Sequence, residues 1–171
     1  QAPVFETANH DVVLVRNETG EARRRFEVVG VDRPIILPSR NLAGFHERLA
    51  VVGVEPSEDH LGRFAILLEP IPPERIGRAC LSGVCAVRLN VADESHQFAD
   101  VEEKSPEGLR TRECGSAFIL WKEEGEYEYG EYEGEPEYEG EYYGYGELRW
   151  ALVRLSNFCP KVEEQEEWET V

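Results

Sequence analysis

Two cysteines separated by four residues are the first place where this sequence could carry chemistry. Cys80 and Cys85 have the widest spacing that one half of a structural zinc site accepts, but zinc needs a second such pair. Cys114 and Cys159 each stand alone, 45 positions apart. The four cysteines could bind zinc, form disulfides in one of three pairings, or stay buried as thiols. Thiols and disulfides fit better than zinc.

Histidines with nearby carboxylates offer a second possible chemistry, a metal site or an acid–base pair. The four histidines are scattered and each has an acidic neighbour: His10, His46, His60 and His96. Two clusters could in principle gather around a metal, residues 58–60 and 93–96, but polar turns explain them better. The sequence contains no Gly-x-Ser-x-Gly elbow and no P-loop. We therefore expect no catalytic residue, no metal and no cofactor.

The run from Glu123 to Glu147 has the chemistry of a contact surface. Its 25 residues are 11 Glu, seven Tyr, six Gly and Pro136, and they include every tyrosine of the chain. Glu and Tyr alternate over much of this insertion, so an extended conformation would place tyrosines on one face and carboxylates on the other. Tyrosine suits interfaces because it offers a large contact area at a low entropic cost. The predicted partner-binding residues are Tyr127, Tyr129, Tyr132, Tyr138, Tyr142, Tyr143 and Tyr145.

A second acidic segment, the tail 161–171, carries five Glu and Trp168. The chain has a formal net charge of −17, yet without the acids of the insertion and the tail it has 19 acidic and 18 basic residues. We therefore predict a nearly neutral body with two anionic appendages that contact other protein subunits, and no direct binding of nucleic acid. Trp168 would anchor the tail in an apolar pocket.

Other interpretations of the insertion remain open. It could be a solvated low-complexity loop. It could collect Ca²⁺, although the sequence has no Asp-x-Asp-x-Asp-Gly loop. An acidic and aromatic surface could also imitate nucleic acid and bind in the groove of a basic protein.

Arg23, Arg24 and Arg25 form the only basic cluster of the chain. They could simply line an exposed strand face. Alternatively, they could bind the acidic loop or tail of a neighbouring copy, which would make self-assembly electrostatically complementary.

The rest of the chain shows short apolar runs separated by turn residues, a pattern typical of β-strands. In the last run, Leu148, Trp150 and Leu152 alternate and Leu155 breaks the period. A single helical turn fits residues 39–46, and Ser82-Gly83 marks a bulge. No run approaches the roughly 20 apolar residues of a membrane-spanning helix. The predicted strands are 12–15, 23–31, 50–54, 62–70, 77–91, 109–111, 117–121 and 148–155.

This pattern predicts an all-β protein, a single barrel or sandwich with an extended acidic, Tyr-rich hairpin insertion. Residues 1–122 and 147–160 would form the body, with the insertion at 123–147 and the tail at 161–171. Strands 117–121 and 148–155 would form the hairpin that carries the insertion. Because the connection far exceeds ordinary hairpin loops, we interpret it as functional.

Five turn and strand segments resemble a group of small β-rich proteins encoded with phage and prophage structural genes: Val15–Gly20, Val29–Pro34, Gly62–Pro70, Ser82–Cys85 and Trp150–Leu155. The resemblance covers roughly residues 10–122 and 147–156, and excludes the insertion and the tail. It implies a role in the virion, such as a capsid decoration, stabilisation or head–tail accessory subunit. It transfers no catalytic residue.

We therefore expect a non-enzymatic structural protein of a large assembly, located in the virion, that contacts its neighbours through the insertion and the tail. One alternative is a secreted surface or extracellular filament subunit. A second is a metal-dependent or other β-barrel enzyme. Because the chain begins at Gln1 and contains no Met, we expect its natural N-terminus to be cleaved or to lie upstream.

Overall fold

The computed structural model describes residues 10–125, 148–155 and 159. These residues form nine strands, one short α-helix and one 3₁₀ turn. In chain order the elements are β1 (His10–Asn17), β2 (Val28–Pro34), α1 (Leu42–Glu47), β3 (Ala50–Val54), the 3₁₀ turn Glu58–His60, β4 (Phe64–Leu67), β5 (Ile76–Asn90), β6 (Phe98–Asp100), β7 (Leu109–Arg112), β8 (Ala117–Lys122) and β9 (Arg149–Leu155).

The strands close into two five-stranded barrels that share β5, so the predicted all-β fold is confirmed. Backbone pairing joins the first barrel in the order β1, β3, β2, β4 and β5, and β5 returns to β1. The second barrel repeats this connectivity with β5, β7, β6, β8 and β9. In each barrel the first and third strands are parallel and every other pair is antiparallel. The described chain is therefore a structural repeat whose two copies have one strand in common.

The long strand β5 passes from one barrel to the other. Its first half pairs with β1 and its second half with β9, and Gly83 pairs with the outermost residue of each. A bulge leaves Leu81 out of the register between Cys80 and Ser82. Gly83 follows with φ at +87°, a conformation that side chains rarely adopt. The bulge predicted from Ser82-Gly83 thus lies where the strand leaves the first barrel.

Strand β4 is buried on both faces because each face meets a different apolar cluster. Ala65 and Leu67 pack with the first barrel's interior, whereas Phe64 and Ile66 pack with the cluster that fills the second barrel. All four residues are buried. The strand predicted at 62–70 therefore lies between the two barrels. Because neither of its faces contacts water, its residues are apolar in an uninterrupted run and do not alternate with polar ones.

The strand β9 alternates between the interior of the second barrel and its outer face. Its inward residues are Ala151, Val153 and Leu155, while Trp150 and Leu152 point outward. Barrel diameter falls with strand number, so five strands leave little room inside. The alternation of Leu148, Trp150 and Leu152 in the sequence consequently marks the outer face and not the core.

A buried carboxylate connects the two barrels. Asp100, at the end of β6, is 4% exposed. Its Oδ1 accepts hydrogen bonds from the backbone N–H groups of Gly62, at 3.0 Å, and Val101, at 2.9 Å. Its Oδ2 accepts one from the N–H of Ser116, at 3.0 Å. Because Gly62 precedes β4 and Ser116 precedes β8, Asp100 joins equivalent turns of the two barrels.

Most predicted strands are present, and two regions differ from prediction. Residues 23–27 form a bridge and a tight turn, and β2 begins only at Val28. The three-residue strand β6 was not predicted, because so short a segment carries no pattern. The hairpin of β8 and β9 is confirmed. Its connection corresponds to residues 68–75 of the first barrel, so the insertion replaces a short turn of the repeat.

Candidate functional site

The predicted partner-binding residues fall into two groups. The seven tyrosines and Trp168 lie outside the described residues, and their binding role stays a prediction. The arginine cluster is described, and it does not form one continuous strand face. Arg23 is buried, whereas Arg24 and Arg25 are exposed.

Glu27 pairs with two of the three arginines. This carboxylate is 4% exposed and lies 3.7 Å from Nη1 of Arg23 and 3.1 Å from Nε of Arg24. Arg23 also donates from Nε to Thr19 Oγ1 and exchanges backbone hydrogen bonds with Ile71. Arg23 is therefore held inside the body by these contacts, and Arg24 is paired with Glu27. Docking of an acidic segment by the cluster stays a prediction, and Arg25 is the arginine best placed for it.

Arg25 lies against the next residue in the chain, Phe26. Its guanidinium carbon is 4.5 Å from the Phe26 ring centroid. Phe26 has a φ of +69°, which is unfavourable for an aromatic residue. Two backbone hydrogen bonds with Leu67 hold this turn. The N–H of Phe26 donates to the carbonyl of Leu67, and the N–H of Leu67 donates to the carbonyl of Glu27. The turn thereby directs the Phe26 ring towards the second barrel.

Phe26 meets Trp150, and together with two arginines they form a ladder across the barrel junction. The two rings are in a T-shaped arrangement with centroids 5.4 Å apart. Arg88, which pairs with Trp150 across β5 and β9, places its guanidinium carbon 4.6 Å from the indole centroid. In space the four residues therefore follow one another as a cation–aromatic ladder, in the order Arg25, Phe26, Trp150 and Arg88. Each guanidinium group lies close to the ring next to it, at a distance that allows a favourable cation–π interaction.

The first residue of the insertion and the strand ends that flank it lie beside this ladder. Glu123, its first residue, donates its N–H to the carbonyl of Trp150, and its Oε2 accepts from the Trp150 N–H, both at 2.9 Å. Glu94 contacts Arg149 and lies 3.3 Å from Lys122 Nζ, so it joins the last residue of β8 to the first of β9. The hydrogen bond from Arg149 lowers the pKa of Glu94. The insertion therefore leaves the barrel next to Trp150.

The outward side chains around Trp150 form an exposed apolar surface. Trp121 and Leu152 are paired on β8 and β9 and are 55% and 44% exposed. Val84 and Arg154 are paired on β5 and β9 and are also exposed. We call this surface the insertion-side face, and it consists of the four ladder residues together with their exposed neighbours: Arg25, Phe26, Arg88, Trp150, Val84, Trp121, Leu152 and Arg154.

Three cations at this face have no carboxylate partner nearby. Within the described ranges, Arg25, Arg88 and Arg154 form no ion pair, while neighbouring Lys122 and Arg149 are paired with Glu94. The face therefore combines apolar contact area with unneutralised positive charge. Such a combination suits an acidic partner that also carries aromatic side chains.

The comparisons with known proteins give no relative. No family model, no curated protein and no solved structure matches this chain. Any assignment of function therefore depends on the sequence and the geometry of the chain itself.

The cysteines are divided between a disulfide and a thiol pair. Cys114 and Cys159 form a disulfide, and Cys80 and Cys85 are buried thiols. The hydrogen bond with Cys85 lowers the pKa of Cys80, and the same contact, together with burial, raises the pKa of Cys85. The sequence left three pairings of the four cysteines open. The structure contains a single bridge, which joins the two isolated cysteines.

The described part of the chain contains no group of three or more His, Cys, Asp or Glu side chains that could hold a metal ion. The clusters at 58–60 and 93–96 are instead turns. Ser57 and His60 cap the 3₁₀ turn, and Asp93 accepts hydrogen bonds from Ser95. Among the same residues, no helix has the length and apolar character needed to cross a membrane.

Phe26, Arg88 and Trp150 lie at the centre of this face and were not predicted from the sequence to have a functional role. Trp150 and Arg88 were assigned to strands without an orientation, and Phe26 was placed inside a strand instead of at a turn. The one local signal concerns Trp150 alone, because it lies on β9 in register with the exposed Leu152 and out of register with the buried Ala151 and Val153. Their contact with Phe26 depends on the junction of the two barrels and has no counterpart in local sequence.

Proposed function

We propose that this protein is a non-enzymatic structural subunit of a larger assembly and that copies associate through the insertion-side face. The observation that carries the proposal is the position of this face at the root of the acidic insertion. An apolar surface with three arginines that form no ion pair among the described residues borders a segment of 11 Glu and seven Tyr. The occupant that fits it is the insertion of a second copy.

Apolar contact would supply most of the association free energy. Leu152, Trp121 and Val84 are about one-third to one-half exposed, and covering them would gain a corresponding fraction of the roughly 1.5–3 kcal/mol that full burial of such a side chain is worth. Trp150 and the arginines resemble the residues that dominate measured interfaces. Tyrosines from the partner would pack on this surface with little loss of side-chain entropy.

Charge would set the orientation of the contact. The insertion supplies the carboxylates and the face supplies the guanidinium groups of Arg25, Arg88 and Arg154, none of which is ion-paired within the described part of the chain. The Debye length falls from about 10 Å at 0.1 M salt to about 3 Å at 1 M, so association should weaken as salt rises. A purely apolar contact would respond in the opposite direction, because excluded salts strengthen apolar burial.

The finer assignment rests on the resemblance to proteins encoded with phage structural genes, and we propose a virion accessory subunit of the capsid or the head–tail region. A secreted surface or filament subunit is the second candidate. The Cys114–Cys159 disulfide favours that alternative, because disulfides persist in oxidising compartments.

Sedimentation velocity of the full chain over a range of concentrations tests the contact. Leu152→Asp places a carboxylate on the face, and Leu14→Asp is the matched control, since the two leucines are 44% and 43% exposed and each lies on a strand that pairs with β5. Leu152→Asp should weaken self-association by about tenfold or more, equal to roughly 1.4 kcal/mol, and Leu14→Asp should leave it unchanged. Deleting residues 126–146 should abolish association and leave the body folded.

A wild-type chain that stays monomeric at every concentration would contradict association between copies. Equal behaviour of Leu152→Asp and Leu14→Asp would remove the insertion-side face from the contact. Unchanged assembly after the deletion would remove the insertion.

A further inference from the structure

A cleft lies at the junction of the two barrels, separate from the insertion-side face. It has a volume of about 330 Å³. The first barrel contributes Val31, Arg63 and Phe64, and the second contributes Ser116 and Leu155. Asp100 holds the two walls together through the N–H groups of Gly62 and Ser116 described above. The cleft is therefore built by the packing of the repeat.

The floor of this cleft is apolar. Phe64 and Leu155 are almost fully buried, at 5% and 4% exposure, and Val31 and Leu81 are half-buried. A cleft of this size and composition suits a single large apolar or aromatic group. Its surface is continuous with the main apolar cluster, since Phe64 and Leu155 both belong to that cluster.

The rim of the cleft carries one positive charge that no described carboxylate neutralises. Arg63 donates from Nη2 to the backbone carbonyl of Asp59 and forms no ion pair among the described residues. The other charged residue of the rim, Asp32, is neutralised by Arg33 at 2.6 Å. The site therefore favours an aromatic group flanked by carboxylates.

We infer that this cleft binds Trp168 of the same chain. Trp168 is the only aromatic residue after Cys159, and Glu166, Glu167 and Glu169 flank it. Its apolar ring matches the floor of the cleft, and its acidic neighbours match Arg63. No other residue of the tail offers an aromatic ring.

The disulfide supplies the tether that favours the chain's own tail over that of a neighbour. Cys159 is bonded to Cys114, which stands two positions before the cleft residue Ser116. Trp168 follows Cys159 by nine positions, and nine extended residues span roughly 30 Å. A short tether gives an effective concentration in the millimolar range, above that of a separate copy in dilute solution. The tail is thereby assigned to its own body, and the insertion remains the segment that contacts neighbours.

Methyl-labelled NMR spectra of the full chain test this assignment, because an indole ring shifts the resonances of methyl groups packed against it. Trp168→Ala should shift the methyl resonances of Val31, Leu81 and Leu155, whereas the control Thr170→Ala should leave them in place. The wild-type shifts should not change on roughly tenfold dilution, as an intramolecular contact requires. Arg63→Glu should move the Trp168 indole N–H towards its solvent-exposed position, and Arg40→Glu should not.

Methyl resonances that are identical in wild type and Trp168→Ala would overturn the inference. A labelled Trp168→Ala chain mixed with unlabelled wild type provides the second arm. Recovery of the wild-type shifts in that mixture would show a neighbour's tail in the cleft and would overturn the own-chain assignment. Trp168→Ala should leave self-association, measured by sedimentation velocity, unchanged. The NMR test of the cleft can therefore fail while the proposed association between copies holds, and the reverse is also possible.

Discussion

The guanidinium carbon of Arg88 lies 4.6 Å from the ring centroid of Trp150, its partner across β5 and β9. Phe26 meets the same indole in a T-shaped contact. Phe26 belongs to the turn before β2, in the first barrel, whereas Trp150 belongs to the second. The ladder is therefore a contact between the two repeats as well as part of the insertion-side face.

Replacing Arg88 should weaken this ladder by a small, measurable amount. A partly exposed cation–aromatic contact is worth about 0.5–1 kcal/mol, so Arg88→Ala should lower the free energy of unfolding by about that much. Arg88→Lys should retain part of it. Urea denaturation measures both, with Arg40→Ala as an exposed control. Equal stability of Arg88→Ala and wild type would show that the contact contributes nothing to folding.

Asp100 should be among the most sensitive polar positions of the described chain. Asp100→Ala leaves three backbone N–H groups without their acceptor, in a site where Asp100 is 4% exposed. Buried donors without partners are costly, and we expect a loss of about 3 kcal/mol or more in urea denaturation. Glu103→Ala, an exposed acidic control, should change stability by less than about 0.5 kcal/mol. A loss below about 1 kcal/mol for Asp100→Ala would contradict its role as a connection between the barrels.

The disulfide should stabilise the body by restricting the unfolded chain. Cys114 and Cys159 are 45 positions apart, and closing a loop of that length is worth about 4 kcal/mol in the chain-entropy model. The double variant Cys114→Ser/Cys159→Ser should therefore unfold at a clearly lower urea concentration. In wild type, thiol labelling should find two slowly reacting groups, Cys80 and Cys85, which become accessible on unfolding. Four reactive thiols in the native protein would contradict the bridge.

The root of the insertion should loosen in acid. The hydrogen bond from Arg149, with a second from Lys122, lowers the pKa of Glu94, while partial desolvation opposes the shift. A carboxyl whose pKa is lower in the folded state stabilises that state above its unfolded pKa, and the stabilisation is lost as pH falls through the folded pKa. The difference in urea midpoint between wild type and Glu94→Gln should therefore be largest at neutral pH and vanish in acid. Glu103→Gln is the control, and a difference independent of pH would contradict the linkage.

Local sequence predicted the strands well where apolar runs were long or clearly bounded. The run at 62–70 became β4, and the run at 77–91 became β5 with its bulge. Turn residues bounded both, and local chemistry was sufficient to place them. The prediction was wrong at residues 23–27, where the backbone bends at Phe26 to reach Leu67 instead of extending β2.

The sequence by itself determined the all-β class, the position of the hairpin that carries the insertion, and the division of charge between body and appendages. These features follow from composition, periodicity and turn residues, which act over a few neighbouring positions. Tertiary structure alone decided that β5 serves two barrels, that Trp150 faces outward onto Arg88 and Phe26, and that Cys114 reaches Cys159. Each of these depends on strands far apart in the chain closing into two barrels, and such long-range pairing is not encoded in the pattern of neighbouring residues.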